Sequence, residues 1–158
     1  MRILVVSDSH GDFNNLHSAI LNQPSAEVVF CLGDGEYDYD AVQSLFPNKM
    51  FVIIRGNCDT RSNKPDTKTI NIEDKCIFAT HGHLYRAKFD LHALYFAGKE
   101  ADAQIILFGH THTPYNEYVN GVYMLNPGSI KGYYGTYGTI DISKSGIVMN
   151  IIKLNKLP

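Results

Sequence analysis

Short apolar runs that stop at polar clusters set the rhythm of this chain. Residues 2–7 read R-I-L-V-V-S, an unbroken β-branched and aliphatic run of the kind found in strands covered on both faces. Asp12 then precedes a helical periodicity through Leu16, Ala19, Ile20 and Leu21, closed by Pro24. Residues 28–32 read as a second buried strand, 41–46 as a short helix ended by Pro47, and 50–54 as a third strand. Strand, helix, strand, helix, strand implies parallel pairing through helical crossovers.

The second half changes character. Residues 69–72 and 76–80 flank Glu73-Asp74-Lys75 as a hairpin. Residues 88–99 predict a helix with Phe89, Ala93, Leu94 and Ala97 at core spacing, and 105–108 a strand. Residues 115–119 and 122–125 flank Asn120-Gly121, a strong two-residue hairpin signal. A last hairpin, 136–142 with 147–153, turns around Ser145-Gly146. Parallel units followed by hairpins predict an α/β fold of two sheets packed face to face, with helices outside. No repeat or linker interrupts the 158 residues, which read as one domain over 1–158.

Composition narrows the partners. Hydrophobic residues at 44% supply a core, and a net charge of −2 with no basic run offers no footprint for a nucleic-acid duplex or an anionic membrane. A small phosphate ester needs only a local positive site, so it stays open. Cys31, Cys58 and Cys76 are odd in number and lack C-x-x-C spacing, against both a disulfide framework and a structural zinc knuckle. Cys31 and Cys76 sit in apolar runs and read as small buried hydrophobes. No apolar run reaches membrane-spanning length, and the expected location is cytoplasmic.

Where the strands end, chemistry gathers. Asp8 and His10 follow the first strand, Gly33-Asp34 the second and Gly56-Asn57 the third. His81-Gly82-His83 and Gly109-His110-Thr111-His112 follow two later strands. Ligands bind at the carboxyl ends of strands in open α/β sheets. Side chains two apart on an extended segment point the same way, so each of the pairs Asp8/His10, His81/His83 and His110/His112 is expected to aim at one point. Imidazoles and carboxylates gathered there are costly to bury without a cation. His17 and His92, on helices, read as surface or satisfied core residues, and His83 as either a ligand or a neighbour of the ligands.

Counting donors suggests two ions. Asp8, His10, Asp34, Asn57, His81, His110 and His112 are too many for one ion that keeps an open position. Two ions about 3.5–4 Å apart accommodate them if a carboxylate is shared, and Asp34 is the candidate. Two divalent ions, two carboxylates and a bridging hydroxide sum to a single positive charge, which suits an anionic phosphodiester. Oxygen and nitrogen donors fit manganese foremost, and also iron, zinc, nickel or cobalt.

The ordered set D-S-H, G-D, G-N-C-D, H-G-H and G-H-T-H, from Asp8 to His112, resembles the calcineurin-like metallophosphoesterases, in particular their small single-domain prokaryotic phosphodiesterases, the YfcE-like group. The stretch N-P-G-S at 126–129 extends the resemblance. It implies a four-layer α/β/β/α sandwich of two mixed sheets. It also implies ligand roles: Asp8, His10, Asp34 and His112 for one ion, and Asp34, Asn57, His81 and His110 for the other. Asn57 would sit beside the phosphoryl oxygens, and Asp59 would orient a ligand or water. Larger members read G-N-H-E where this chain has Gly56-Asn57-Cys58-Asp59, so the proton donor to the leaving group is open, with His83 one candidate.

The catalytic set is therefore Asn57, Asp34, His81, His83 and Asp59. The expected reaction is in-line attack of a metal-bridging hydroxide on a small phosphodiester. The alternatives are a phosphomonoesterase, or a silent protein-binding scaffold like the retromer subunit of this superfamily. Lys131, Arg61 and Arg86 lie in loops near the motifs. Tyr37, Tyr39, Tyr133, Tyr134 and Tyr137 could line a nucleobase or the interface of a homodimer or higher homo-oligomer, or equally be ordinary core edge.

Overall fold

The first strand dictates the layering. The structure, a computed structural model, describes residues 1–154. In β1 (Arg2–Val6) Ile3 and Val5 face one way and Leu4 and Val6 the other, and all four are fully buried. A strand without a polar face must be covered twice. On one side lie α1 (Phe13–Leu21) and α2 (Glu36–Gln43), and on the other a second sheet.

β1 pairs in parallel with β2 (Ala26–Cys31), which pairs in parallel with β3 (Met50–Ile53). The second half supplies β4 (Thr67–Ile72), β5 (Lys75–Thr80), α3 (His92–Glu100), β6 (Ile105–Leu107), β7 (Tyr115–Val119), β8 (Val122–Asn126), β9 (Thr136–Ser143) and β10 (Gly146–Lys153). One sheet runs β10-β9-β1-β2-β3 and the other β4-β5-β6-β8-β7, each mixing parallel and antiparallel pairs. Three apolar layers separate the four structural ones. Ile3, Val5, Phe30, Ile77 and Leu107 meet between the sheets. Leu4, Val6, Leu16, Ile20 and Val42 lie under α1 and α2, and Phe78, Leu94, Ile106 and Met124 under α3. The result is the α/β/β/α sandwich expected. Among the described residues no helix is long and apolar enough to cross a membrane. The single-domain expectation over 1–158 extends past the described residues at its last four positions.

Local chemistry explains where expectation and structure agree. The Asp12 side chain accepts from Asn15 N at 3.1 Å and caps α1. Asn120 and Gly121 both take positive φ (45° and 89°), as a two-residue type I′ hairpin requires.

Three elements differ. The short helix lies at Glu36–Gln43, not 41–46, because its start is fixed from a distance: the Asp59 carboxylate accepts from Gly35 N and Glu36 N. α3 starts at His92, not 88, since His83–Tyr85 form a 3-10 turn and the chain irregularly links the two. Leu94 is buried as expected, but Phe89 and Ala93 are exposed. The last hairpin turns at Lys144-Ser145, one residue early, with Ser143 opposite Gly146. Among the flagged side chains, Cys31 is buried and Cys76 half-buried. His17 packs against the Phe13 and Phe46 rings, and His92 is exposed.

Candidate metal centre

The loops after β1, β2 and β3 in one sheet meet those after β5 and β6 in the other. The strand ends thus lie on the neighbouring edges of two sheets, one of the two arrangements that the strand-end reading admits. Backbone bonds fasten them within each sheet, Asp8 N to Gly33 O at 3.0 Å and Gly109 N to His81 O at 3.0 Å. Across the sheets the His81 imidazole donates through Nδ1 to Leu32 O at 2.6 Å. Such tight approach demands glycine. A Cβ on Gly33 would lie 2.6 Å from Gly56 N and 2.7 Å from His81 Nδ1. One on Gly56 would strike the Asp34 carboxylate.

Asp8, His10, Asp34, His110 and His112 all adopt left-handed backbone, with φ from 43° to 67°. Such residues cost about 1–3 kcal/mol each and persist where the surroundings hold them. This breaks the extended-segment premise in two of the three pairs: His110 and His112 go to different donor groups and His83 joins none, whereas Asp8 and His10 do reach one group.

Three donor groups form, the donor atoms of each lying within 4.8 Å of one another: Asp8/His10/His112, Asp34/His81/His110 and His10/Asp34/Cys58. In the first, Asp8 Oδ2 accepts from Ser7 Oγ at 2.6 Å and His110 N at 3.1 Å. Asp8 Oδ1 is buried and has no hydrogen-bond partner among the described residues. It nevertheless lies 3.1 Å from His112 Nε2 and 3.7 Å from His10 Nε2. The two Nε2 atoms are 3.4 Å apart. The two imidazole nitrogens are within hydrogen-bond reach of each other, whereas Asp8 Oδ1 is close to both without being aligned to either, and all three atoms converge on a common point. An unpartnered buried carboxylate oxygen facing two imidazole nitrogens is suited to a divalent cation.

The second group is set by surrounding bonds. The Leu32 carbonyl can only accept, so the His81 Nδ1 carries a proton and Nε2 is turned toward Asn57 Oδ1 (3.1 Å) and Asp34 Oδ2 (3.4 Å). Asp34 Oδ1 accepts from Cys58 N at 2.7 Å, and Oδ2 lies 3.9 Å from His10 Nε2, so this carboxylate touches both groups. Burial works to raise the Asp34 carboxyl, but the hydrogen bonds from His81 and Cys58 outweigh it and hold it below the usual carboxylate range. Burial likewise opposes a charge on His81, yet Asp34 and Asp8 raise it above the usual imidazole value. The two carboxylates thus favour positive charge at this imidazole, where a cation would also be attracted. Burial, then the His81 charge, pull His110 down to about 4. The His110 ring centre is 5.0 Å from that of His81.

His83 lies beside the second group, its ring centre 5.4 Å from His81 and 6.1 Å from His110, but it belongs to no donor group. Its Nδ1 is buried without a partner among the described residues. Asp59 touches no donor atom. Its carboxylate accepts from the backbone N–H of Asp34, Gly35, Glu36 and Gly56 at 2.8–3.2 Å, so it positions the loop that carries Asp34.

Three contributors escaped the sequence reading. The Cys58 sulfur reaches donor distance of His10 and Asp34. Asp38 Oδ2 accepts from Ser9 Oγ at 2.5 Å and Gly11 N at 2.9 Å, holding the His10 turn. Asn126 Nδ2 donates to Gly109 O at 2.9 Å and Thr111 Oγ1 at 3.0 Å, holding the His110 turn. Asn126 ends β8, so the strand-end rule that flagged the other loops pointed to it as well.

Known proteins share this arrangement of elements. A model of the calcineurin-like phosphoesterase superfamily domain matches residues 1–145. The probable metallophosphoesterase YsnB of Bacillus subtilis (strain 168) is 32% identical over 131 residues, covering 83% of this chain and 76% of its own length. The phosphodiesterase MJ0936 of Methanocaldococcus jannaschii is 28% identical, over 90% of this chain and 92% of that protein. A crystal structure of a predicted phosphoesterase from Streptococcus pneumoniae TIGR4 superposes with a TM-score of 0.82 at 28% identity, covering 96% of this chain and 88% of the other. A match over residues 1–145 takes in all five strand-end motifs, and the chain belongs to the calcineurin-like phosphoesterase superfamily.

Proposed function

We propose that this metallophosphoesterase hydrolyses a small phosphodiester at a site holding two divalent cations, with Asp34 shared between them. The observation that carries the reading is the position of Asp34 Oδ2, 3.9 Å from His10 Nε2 on one side and 3.4 Å from His81 Nε2 on the other. Asp8, His10, Asp34 and His112 would hold one ion, and Asp34, Asn57, His81 and His110 the other. When bound, such a pair neutralises phosphate oxygens and brings the pKa of a water toward neutrality, supplying a hydroxide for in-line attack.

The chain's own groups prepare that chemistry. Leu32 O fixes the His81 tautomer so that Nε2 is the ligating atom. Asp59 and Cys58 N fix the Asp34 backbone and one of its oxygens. The exposed Asn57 amide stands where a phosphoryl oxygen can meet it. A covalent intermediate has no ready nucleophile: Ser7, Ser9 and Ser129 each donate their hydroxyl to Asp8 Oδ2, Asp38 and Asp8 O respectively. Burial and the Asp34 charge push the Cys58 thiol up, away from the thiolate.

The test uses protein stripped of metal, reloaded with Mn²⁺, and assayed on bis(p-nitrophenyl) phosphate and p-nitrophenyl phosphate, with metal content measured by elemental analysis. Two equivalents per chain and faster turnover of the diester are expected. One equivalent overturns the shared-carboxylate assignment. A faster monoester makes the chain a phosphomonoesterase, and turnover of neither favours the scaffold alternative.

A further inference from the structure

Two clefts border the donor groups, and their linings are unlike. The first, about 400 Å³, is lined by Glu36, Tyr37, Asp40, Cys58, Arg61 and Ser62. It opens from the site itself, because the Cys58 sulfur is at donor distance of His10 and Asp34. Asp40 is paired with Lys64 at 3.0 Å, whereas Arg61 makes no ion pair or hydrogen bond among the described residues. Tyr37 is 86% exposed. This wall offers a flat ring face together with hydrogen-bond donors and acceptors, the complement of a hydroxylated ring rather than of a greasy group.

The second cleft, about 530 Å³, is lined by Phe89, Leu91, Pro114 and Tyr115, with Lys88, Asp90 and Thr111 at its polar margin. Thr111, which lines this cleft, sits in sequence between His110 and His112. This cleft therefore borders the site from the loops of the other sheet. Phe89 is 78% exposed, and the Arg86 guanidinium lies 5.1 Å from its ring centre. Here the wall is apolar and aromatic.

A monoester carries one organic substituent on phosphorus and a diester carries two. Resting on the two-cation phosphodiesterase reading, we infer that the substrate is an asymmetric phosphodiester whose hydroxylated, sugar-like substituent lies against Tyr37 and Arg61 and whose apolar or aromatic substituent lies against Phe89. The two clefts thus select for unlike substituents, and each exposed ring is a specificity determinant.

Three probes separate the subsites: thymidine 5′-(p-nitrophenyl phosphate), methyl p-nitrophenyl phosphate and bis(p-nitrophenyl) phosphate, each assayed with Mn²⁺ on the native chain, Tyr37→Ala and Phe89→Ala. Both rings are exposed, so neither change threatens the core. The native chain is expected to favour the thymidine ester over the methyl ester about ten-fold in kcat/KM. Loss of a stacking ring typically weakens binding about five-fold or more. Tyr37→Ala should bring the thymidine-to-methyl ratio toward one through KM, and Phe89→Ala should raise KM for the p-nitrophenyl esters with a smaller change in kcat. Saturation-transfer NMR of the thymidine ester on metal-free protein gives a second readout, with transfer to the sugar weakened by Tyr37→Ala and to the nitrophenyl ring by Phe89→Ala. Unchanged KM values and unchanged transfer in both variants overturn the inference. Transfer that follows the variants without turnover of any ester keeps the subsites and overturns hydrolysis instead.

Discussion

The two main donor groups of this site use the same chemistry, one carboxylate and two imidazoles, in unlike settings. Asp34, His81 and His110 form an enclosed group: the Asp34 and His81 side chains are 3% and 0% exposed. Asp8, His10 and His112 form an open one: Asp8 is fully buried, but His10 and His112 are 24% and 49% exposed. Preorganisation differs too. His81 is locked by Leu32 O and Asp34 by Cys58 N, whereas the carboxylate of the open group is held and its two imidazoles lean only on each other. Donor identity alone thus does not make the two groups equivalent. The enclosed group has two of its three side-chain directions fixed by hydrogen bonds to the surrounding chain, and the open group one.

Removing the shared element should have the largest effect, because it breaks both groups at once. Asp34→Asn keeps the shape and removes the charge. Loss of one preorganised hydrogen-bonding group at a reacting centre costs about 10²–10³-fold in rate, and a residue that serves two ions on the proposed reading should reach the top of that range. Metal content should fall to at most one equivalent, with the fold retained by circular dichroism. Full loading with near-native turnover would dissolve the comparison by showing that the groups share nothing.

Whether this division was readable from the chain depends on how local its causes are. The Asn120-Gly121 turn was legible because both left-handed residues are in the turn itself. β1 was legible because a run with no polar residue admits only a doubly covered strand. The donor residues were legible by type and by position after strands. Their partition was not legible from spacing and came only from the family resemblance, because left-handed backbone at both His110 and His112 breaks the alternation rule and sends one ring to each group. The start of α2 was hidden for a related reason, since its capping carboxylate is Asp59, beyond β3. Phe89 and Ala93 misled because apolar spacing records which residues share a helix face, not which face meets the core, and here the segment before His92 is not helical at all.

The next test separates the groups. His112→Asn and His81→Asn each remove one imidazole of the same kind. Disturbing the ordered surroundings of a metal site typically costs about 10–100-fold in affinity. In the open group that loss should be recovered by mass action: His112→Asn should need about 10–100-fold more Mn²⁺ for half-maximal activity but approach the native plateau. His81→Asn removes the ligand whose direction Leu32 fixes and leaves the Leu32 and Asn57 partners unsatisfied, so its plateau should stay low at any Mn²⁺ concentration. Identical Mn²⁺ titration curves for the two variants would show that enclosure has no bearing on how a cation is held.

The smallest effect concerns how dry the enclosed group is without metal. His110 is held down at about 4, first by burial and then by the His81 charge. A histidine whose folded pKa lies below its unfolded value near 6.5 takes up a proton more readily when unfolded. Its penalty is absent above pH 6.5, grows as pH falls below that value, and levels off near the folded value of about 4. His110→Gln removes the titration and keeps a polar side chain. In metal-free protein the melting temperature of the variant, relative to the native chain, should therefore rise by a few degrees between pH 8 and pH 5. The gain should be no larger, because His110 is only half-buried and solvent screens part of the interaction. His81, raised by Asp34 and Asp8, runs the opposite way: its stabilisation is full below pH 6.5 and is lost as pH rises through its folded value. It is present in both proteins, so the native-minus-variant difference isolates His110. A melting difference independent of pH would mean that water reaches this imidazole as freely as it reaches His112, and the contrast between the two groups would then rest on hydrogen bonding alone.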